Sequence, residues 1–278
     1  MRRLPAGRRP RLLLRAALAG LLLLLTGGLA ACAGTHAAAA RPGVSPADAI
    51  RNDVLRRLPA AAASVAAVWG AAAQRPVEVV VTPGPGSAGA GEPPGGSPGR
   101  PAGDVAAAFT GGPRPRLAIN SAAWSTLSPI GRDVVLRHEL THLATGGASG
   151  ADRNLPDWLV EGAAEWTAWR SEGWADARVA PELTRLVRAH RQPLSLASSG
   201  DLSPGASDAA AAYSSAWLAV REIVRRGSAS GLVRLVRALE QHPGPVTGAA
   251  LDSSLRAATG DTLAEVVRRW QLAVRRLA

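Results

Sequence analysis

The stretch VVLRHELTHLAT, residues 134–145, places two histidines four positions apart with a glutamate directly after the first. On an α-helix, side chains four apart project from one face, so His138 and His142 can hold a single ion between their imidazoles. Glu139 lies about 100° round the axis from His138. Its carboxylate therefore stands beside such an ion, not on it, where it can take a proton from water. The other reading is two polar residues sharing a solvated helix face. A His-Glu-x-x-His string arises by accident in roughly one such chain in a few hundred, so a second feature has to decide.

That feature lies in NLPDWLVEGAAEWTAWR, residues 154–170. Asn154 can cap a helix, Pro156 fits its first turn, and a stripe of Leu159, Ala163 and Trp166 makes it amphipathic. Glu161 follows His142 with eighteen residues between them. This is enough chain for one helix to end, a loop to turn, and a second helix to bring a carboxylate against the two imidazoles. Glu165, one turn further on the same face, either accepts the outer N–H of a ligand histidine and fixes its tautomer or is a solvated acid. Trp158, Trp166 and Trp169 recur at helical spacing and are expected in the core. His190 is expected to be exposed near a helix end, and neither His36 nor His242 is assigned a role.

The elements that must position these groups follow from local signals. Ser128 caps and Pro129 opens the histidine helix, which Gly146 and Gly147 end. Upstream, Ser45, Pro46 and Asp48 mark a helix start, and Pro59 is expected to divide that region into helices at 46–58 and 60–72. PVEVVV (76–81), VAAAFT (105–110) and RLAIN (116–120) read as strands, with RLAIN the expected edge. The Gly/Pro-rich segment 82–103 reads as a flexible loop. From Ser128 onward the pattern is almost wholly helical. The fold class is α+β: a small N-terminal sheet with helices, followed by a mainly helical C-terminal half that carries the site.

A formal charge of +11 invites a nucleic-acid partner, but six arginines fall within the first fifteen residues. No arginine cluster interleaved with aromatics occurs in the folded part, so nucleic-acid binding is not expected. That N-terminal basic segment leads into an apolar run and then LAAC, the layout of a secretory signal at 1–31. Cys32 is the only cysteine, which excludes an intrachain disulfide. Leu29, Ala30 and Ala31 leading into Cys32 resemble a bacterial lipobox. The alternative is an ordinary cleavage site followed by an incidental cysteine. The lipobox reading implies a lipidated Cys32, a tether at 32–45, and an exported protein held on the extracytoplasmic face of a cell membrane.

His138, Glu139, His142 and Glu161 together resemble the gluzincins, zinc metallopeptidases with HExxH and a glutamate ligand. More narrowly, LSPIGRDVVLRHELTHLAT, PDWLVEGAAEW, AAYSSAWLAVREIV and TGDTLAEVVRRW are similar to peptidase MA-like proteins of bacterial envelopes, over about residues 60–278. The resemblance implies a zincin-like domain over 46–278, and Zn2+ held by His138, His142 and Glu161 with water in the fourth position. It also implies Glu139 as general base and a peptide or protein substrate. Tyr213 matches a tyrosine of that pattern, where a phenol stabilises an oxyanion; its other reading is a packing tyrosine. Thr145 and Ala148 stand where metzincins need glycine and histidine. No GxMEN segment is present to grip a free amine, so endopeptidase action is favoured over aminopeptidase action. The competing function is a degenerate zincin serving as a non-catalytic binding or assembly lipoprotein.

Overall fold

The computed structural model describes residues 44–83, 106–110, 114–146, 154–203, 205–246 and 248–278. The signal segment, Cys32 and nearly all of the tether and of loop 82–103 lie outside the described residues. Within them the chain is mixed α+β, with a three-stranded sheet and mostly helical content.

Helix α1 (Pro46–Trp69) starts where the sequence signals place it, with the Ser45 hydroxyl accepting from the Asp48 N–H at 3.1 Å. It does not divide at Pro59. The helix runs through that proline as one element, because Leu55, Arg56, Pro59 and Ala60 all face solvent, where water can satisfy the carbonyl that loses its donor. A 3-10 turn (Ala71–Gln74) follows, in place of the expected continuation of helix to residue 72.

Strands β1 (Glu78–Thr82), β2 (Ala107–Thr110) and β3 (Arg116–Asn120) form a sheet in the order β1-β3-β2. β3 pairs parallel with β1 and antiparallel with β2. RLAIN is thus the central strand and not the edge, a correction that follows from its burial. Leu117 and Ile119 are fully buried, and a strand with a wholly sequestered side gains most from neighbours on both edges. β2 becomes the edge beside the helical half.

The remaining helices are α2 (Ser121–Thr126), α3 (Pro129–Ala144), α4 (Asp157–Trp169), α5 (Asp176–Val179), α6 (Pro181–Arg188), α7 (Ala209–Glu240), α8 (Gly248–Thr259) and α9 (Leu263–Arg275). Ser128 caps α3 by accepting from the Gly131 N–H. Gly146, at φ 81°, follows the Thr145 cap in the left-handed region that favours glycine. Asn154 does not cap α4: Pro156 occupies the cap position in extended conformation, and no side chain bonds the first turn.

α3 lies between α1, α4 and β2, and every residue from Val134 to Ala144 is buried. Polar ties hold it along its length. At its start, Arg57 of α1 donates to the Pro129 carbonyl at 3.2 Å and pairs with Asp133 at 2.7 Å. Midway, Arg137 reaches Ser171 and Glu172, each at 2.5 Å. At its end, Arg237 of α7 donates to the Ala144 carbonyl at 2.9 Å.

α4 is pressed between α3 and α7. A Cβ at Gly162 would run into the Ala216 carbonyl oxygen and come within 2.7 Å of Val220 Cγ2. Only hydrogen at this position lets the two helices approach. Gly162→Ala is expected to lower stability by about 1–3 kcal/mol through overpacking, a loss readable in urea unfolding. An unchanged midpoint would show that the α4–α7 contact is looser than described.

Candidate metal centre

α3 carries His138, Glu139 and His142 into the interior, and α4 brings Glu161 against them. The Nε2 atoms of His138 and His142 stand 2.9 Å apart. Glu161 Oε2 lies 3.4 Å from each. The three donors thus form a nearly equilateral triangle. His138 Nε2, His142 Nε2 and Glu161 Oε2 would hold a metal ion as three of its ligands, and a tetrahedral ion would leave its fourth position for water.

Two observations show that these residues fit a metal ion. His138, Glu139, His142 and Glu161 are all at least nine-tenths buried, a costly environment for so many polar groups unless each is satisfied. Yet Glu161 Oε2 has no hydrogen-bond partner. His138, His142 and Glu161 are accordingly a group that could hold a metal ion. The donor set does not by itself say which.

Glu165 sits one turn beyond Glu161. Its Oε1 lies 3.2 Å from His138 Nδ1, an ion-pair distance without hydrogen-bond alignment. Its Oε2 accepts from the Trp169 indole N–H at 3.1 Å. The structure therefore brings Glu165 to the outer side of a histidine that faces the donor triangle. Trp169 is a core residue, as its spacing suggests, and also a donor that fixes Glu165. The i, i+4 spacing of Glu165 and Trp169 carried that signal, but an indole in an apolar stripe reads first as packing.

Glu139 faces the sheet edge. Its carboxylate accepts a backbone hydrogen bond from Phe109 of β2, while its Oε1 has no partner. That contact has no sequence signature, because it joins a helix to a strand about thirty residues upstream. Tyr213 lies in the first turns of α7, buried, with its hydroxyl donating to the Leu202 carbonyl at 3.3 Å. His190 is exposed at φ 56° just after α6, and His242 lies 2.9 Å from the Gly244 carbonyl through Nδ1. Trp158 is buried and Trp166 half-buried.

The titration behaviour follows from burial and proximity. Burial pushes His138 down, but the close carboxylates of Glu161 and Glu165 outweigh it and carry the imidazole up to about 10. His142 is also raised: burial opposes, and the Glu161 carboxylate prevails. Burial pushes Glu161 up, but His142 and His138 hold it well below the usual carboxylate range. Glu139 moves the other way. Burial raises it to about 7 against the opposing charges of His138 and His142.

Comparison with models of known families, with curated proteins and with solved structures found no match.

Two outcomes follow. Glu165→Gln, which removes the charge beside His138, is expected to weaken metal binding by about 10–100-fold, with a smaller loss for Trp169→Phe. Chelator competition measures both, and equal affinity for all three proteins would remove Glu165 from the site. The second concerns pH. A carboxyl raised from its ordinary 4.5 to about 7 binds protons more tightly folded than unfolded, so stability falls as pH rises through that window and stays reduced above it. In chelator, Glu139→Gln should therefore gain stability relative to the unsubstituted chain between pH 5 and pH 8, by on the order of 3 kcal/mol. A difference that does not change with pH would place Glu139 in a solvated environment.

Proposed function

We propose that this protein is a membrane-anchored zinc peptidase, an endopeptidase acting on extracytoplasmic peptide or protein substrates. The observation that carries the reading is the buried convergence of His138, His142 and Glu161 with Glu139 beside them. Two imidazoles and one carboxylate with an open fourth corner are the donor set of a catalytic rather than a structural zinc. When bound, zinc supplies Lewis-acid polarisation of a carbonyl and acidifies water toward neutrality.

The chain's own residues do the rest. Glu139, beside the donor triangle with one oxygen unengaged, accepts a proton from water and returns it to the departing amine. Glu165 and Trp169 hold the His138 ring in place. The edge of β2 offers a track for substrate. Asn120 donates to the Ala106 carbonyl across the β2–β3 ladder at 3.0 Å. By antiparallel alternation, the backbone groups of Ala107 and Phe109 therefore point away from β3, outward along the edge. Phe109 meets Glu139 on that side, so an extended peptide adding to this edge lies along the general base. Tyr213 can serve an oxyanion only by releasing Leu202.

Anchoring rests on Cys32, in the lipobox-like LAAC. Among the described residues no helix is long and apolar enough to cross a membrane.

The purified chain is expected to carry about one zinc and to cleave members of a peptide library. Glu139→Gln should retain the metal and lose about 10²–10⁴-fold in rate. Stoichiometric zinc without cleavage by either protein would instead favour a metal-bearing assembly or binding lipoprotein.

A further inference from the structure

The arginines on this surface fall into two groups. Many exposed ones are neutralised by a neighbouring acid: Arg51 by Asp48 at 2.7 Å, Arg116 by Glu78 at 2.8 Å, Arg256 by Asp252 at 3.0 Å. Among the described residues, arginines with no ion pair, hydrogen bond or ring contact gather in one place. Arg185 and Arg188 lie on α6, Arg268 and Arg275 on α9, and Arg276 at its end; only Arg75 and Arg114 lie elsewhere. α6 and α9 pack against each other, so these five charges share one region of the molecule.

The acids of the two helices offset them only in part. Glu182 of α6 is buried and acts on Arg185, and Glu265 of α9, in a capping box with Thr262, acts on Arg268. Nearby Asp208 pairs with Arg191 at 3.1 Å, and Asp201 accepts from Ser198 and keeps its charge. Arg188, Arg275 and Arg276 have no acid of their own, so the excess is positive.

Two large apolar side chains stand in the same region. Leu194 is 80% exposed and Leu272 43%. The Gln271 amide donates to the Leu194 carbonyl at 3.1 Å, which sets Leu194 beside α9 and next to the neighbour of Leu272. On α9 and its cap, Leu272 has Arg268 four residues before it and Arg275 and Arg276 three and four residues after it, a single outward stripe. A lone exposed leucine needs no explanation. Two in one region, among arginines that outnumber the nearby acids, form a small surface of basic and apolar groups.

We propose that this α6–α9 face docks on an anionic phospholipid bilayer, with Leu194 and Leu272 entering the headgroup region and the arginines lying over lipid phosphates. The leucines decide between a bilayer and a soluble polyanion, since only the bilayer buries them. Charge complementarity supplies the rest of the attraction and makes it sensitive to salt. The inference uses the proposed anchor only for delivery.

The test uses the full chain with Cys32→Ser, so that a single introduced thiol carries an environment-sensitive fluorophore at Leu194→Cys or, as control, at the exposed Leu55→Cys on α1. Each protein is mixed with vesicles of phosphatidylcholine alone or with phosphatidylglycerol, containing lipids that quench on contact. The expected result is quenching at position 194 several-fold above that at 55 in the anionic vesicles only. It should be lost at high salt and when Arg185, Arg188, Arg268, Arg275 and Arg276 are all changed to Gln. Flotation, run in parallel, separates the readings. A chain that floats with both vesicle types while position 194 stays as wet as position 55 overturns docking by this face. A chain that floats with neither overturns it too, while the Cys32 anchor, absent from these proteins, is judged separately by flotation of the unsubstituted chain. Equal quenching at 194 in neutral and anionic vesicles would also overturn the electrostatic part of the proposal. Metal content of each variant shows that the fold and the donor triangle are intact.

Discussion

A helix buried on every side that carries two imidazoles and a carboxylate must find partners for them within the protein. α3 is that helix, and its crossing with α4 is the constraint on which the site depends. Without Glu161 and Glu165, His138 and His142 would face each other in a dry interior with nothing to balance a charge on either ring. With them, the interior holds an excess of carboxylate that only protons or a cation can neutralise. The same burial that makes the cluster costly makes it a strong electrostatic sink, because little water is available to screen it.

The surrounding structure makes that crossing possible. Gly162 allows α4 to lie against α7, which backs Glu161 toward α3. Arg57, Arg137 and Arg237 fix α3 at its start, middle and end, so the histidines have little freedom to retreat from the carboxylate. Trp169 holds the far oxygen of Glu165, and the tilted Trp174 ring lies beside it with centroids 5.2 Å apart. Much of the helical half thus serves as a frame for four side chains.

Two neighbouring carboxyls on this frame end with opposite tendencies. Glu161 is held ionised by the imidazoles it faces, whereas Glu139, turned toward the backbone of β2, is pushed toward neutrality by burial. Paired acids with divergent environments are the usual physical basis for separate ligand and proton-transfer roles. The sheet enters the chemistry here: its edge strand supplies the N–H that Glu139 accepts, and its outward backbone groups border the same space.

Local signals alone were enough for the caps at Ser45 and Ser128, the helical placement of His138 and His142, the spacing of Glu161 and Glu165, the strand at Arg116–Asn120 and the mixed α+β character. All of these depend on residues within a few turns of one another, or on a period that one helix imposes. Tertiary structure decided the rest. Whether Pro59 breaks a helix depended on which side of α1 meets water, and whether RLAIN is edge or centre depended on which strands reach its two flanks. Trp169 as a donor to Glu165 and Phe109 as a donor to Glu139 came only from packing. Sequence spacing can say that side chains share a face. Which face meets which is set by close approach between distant segments, such as Gly162 against Ala216, and that is a property of the packed chain as a whole.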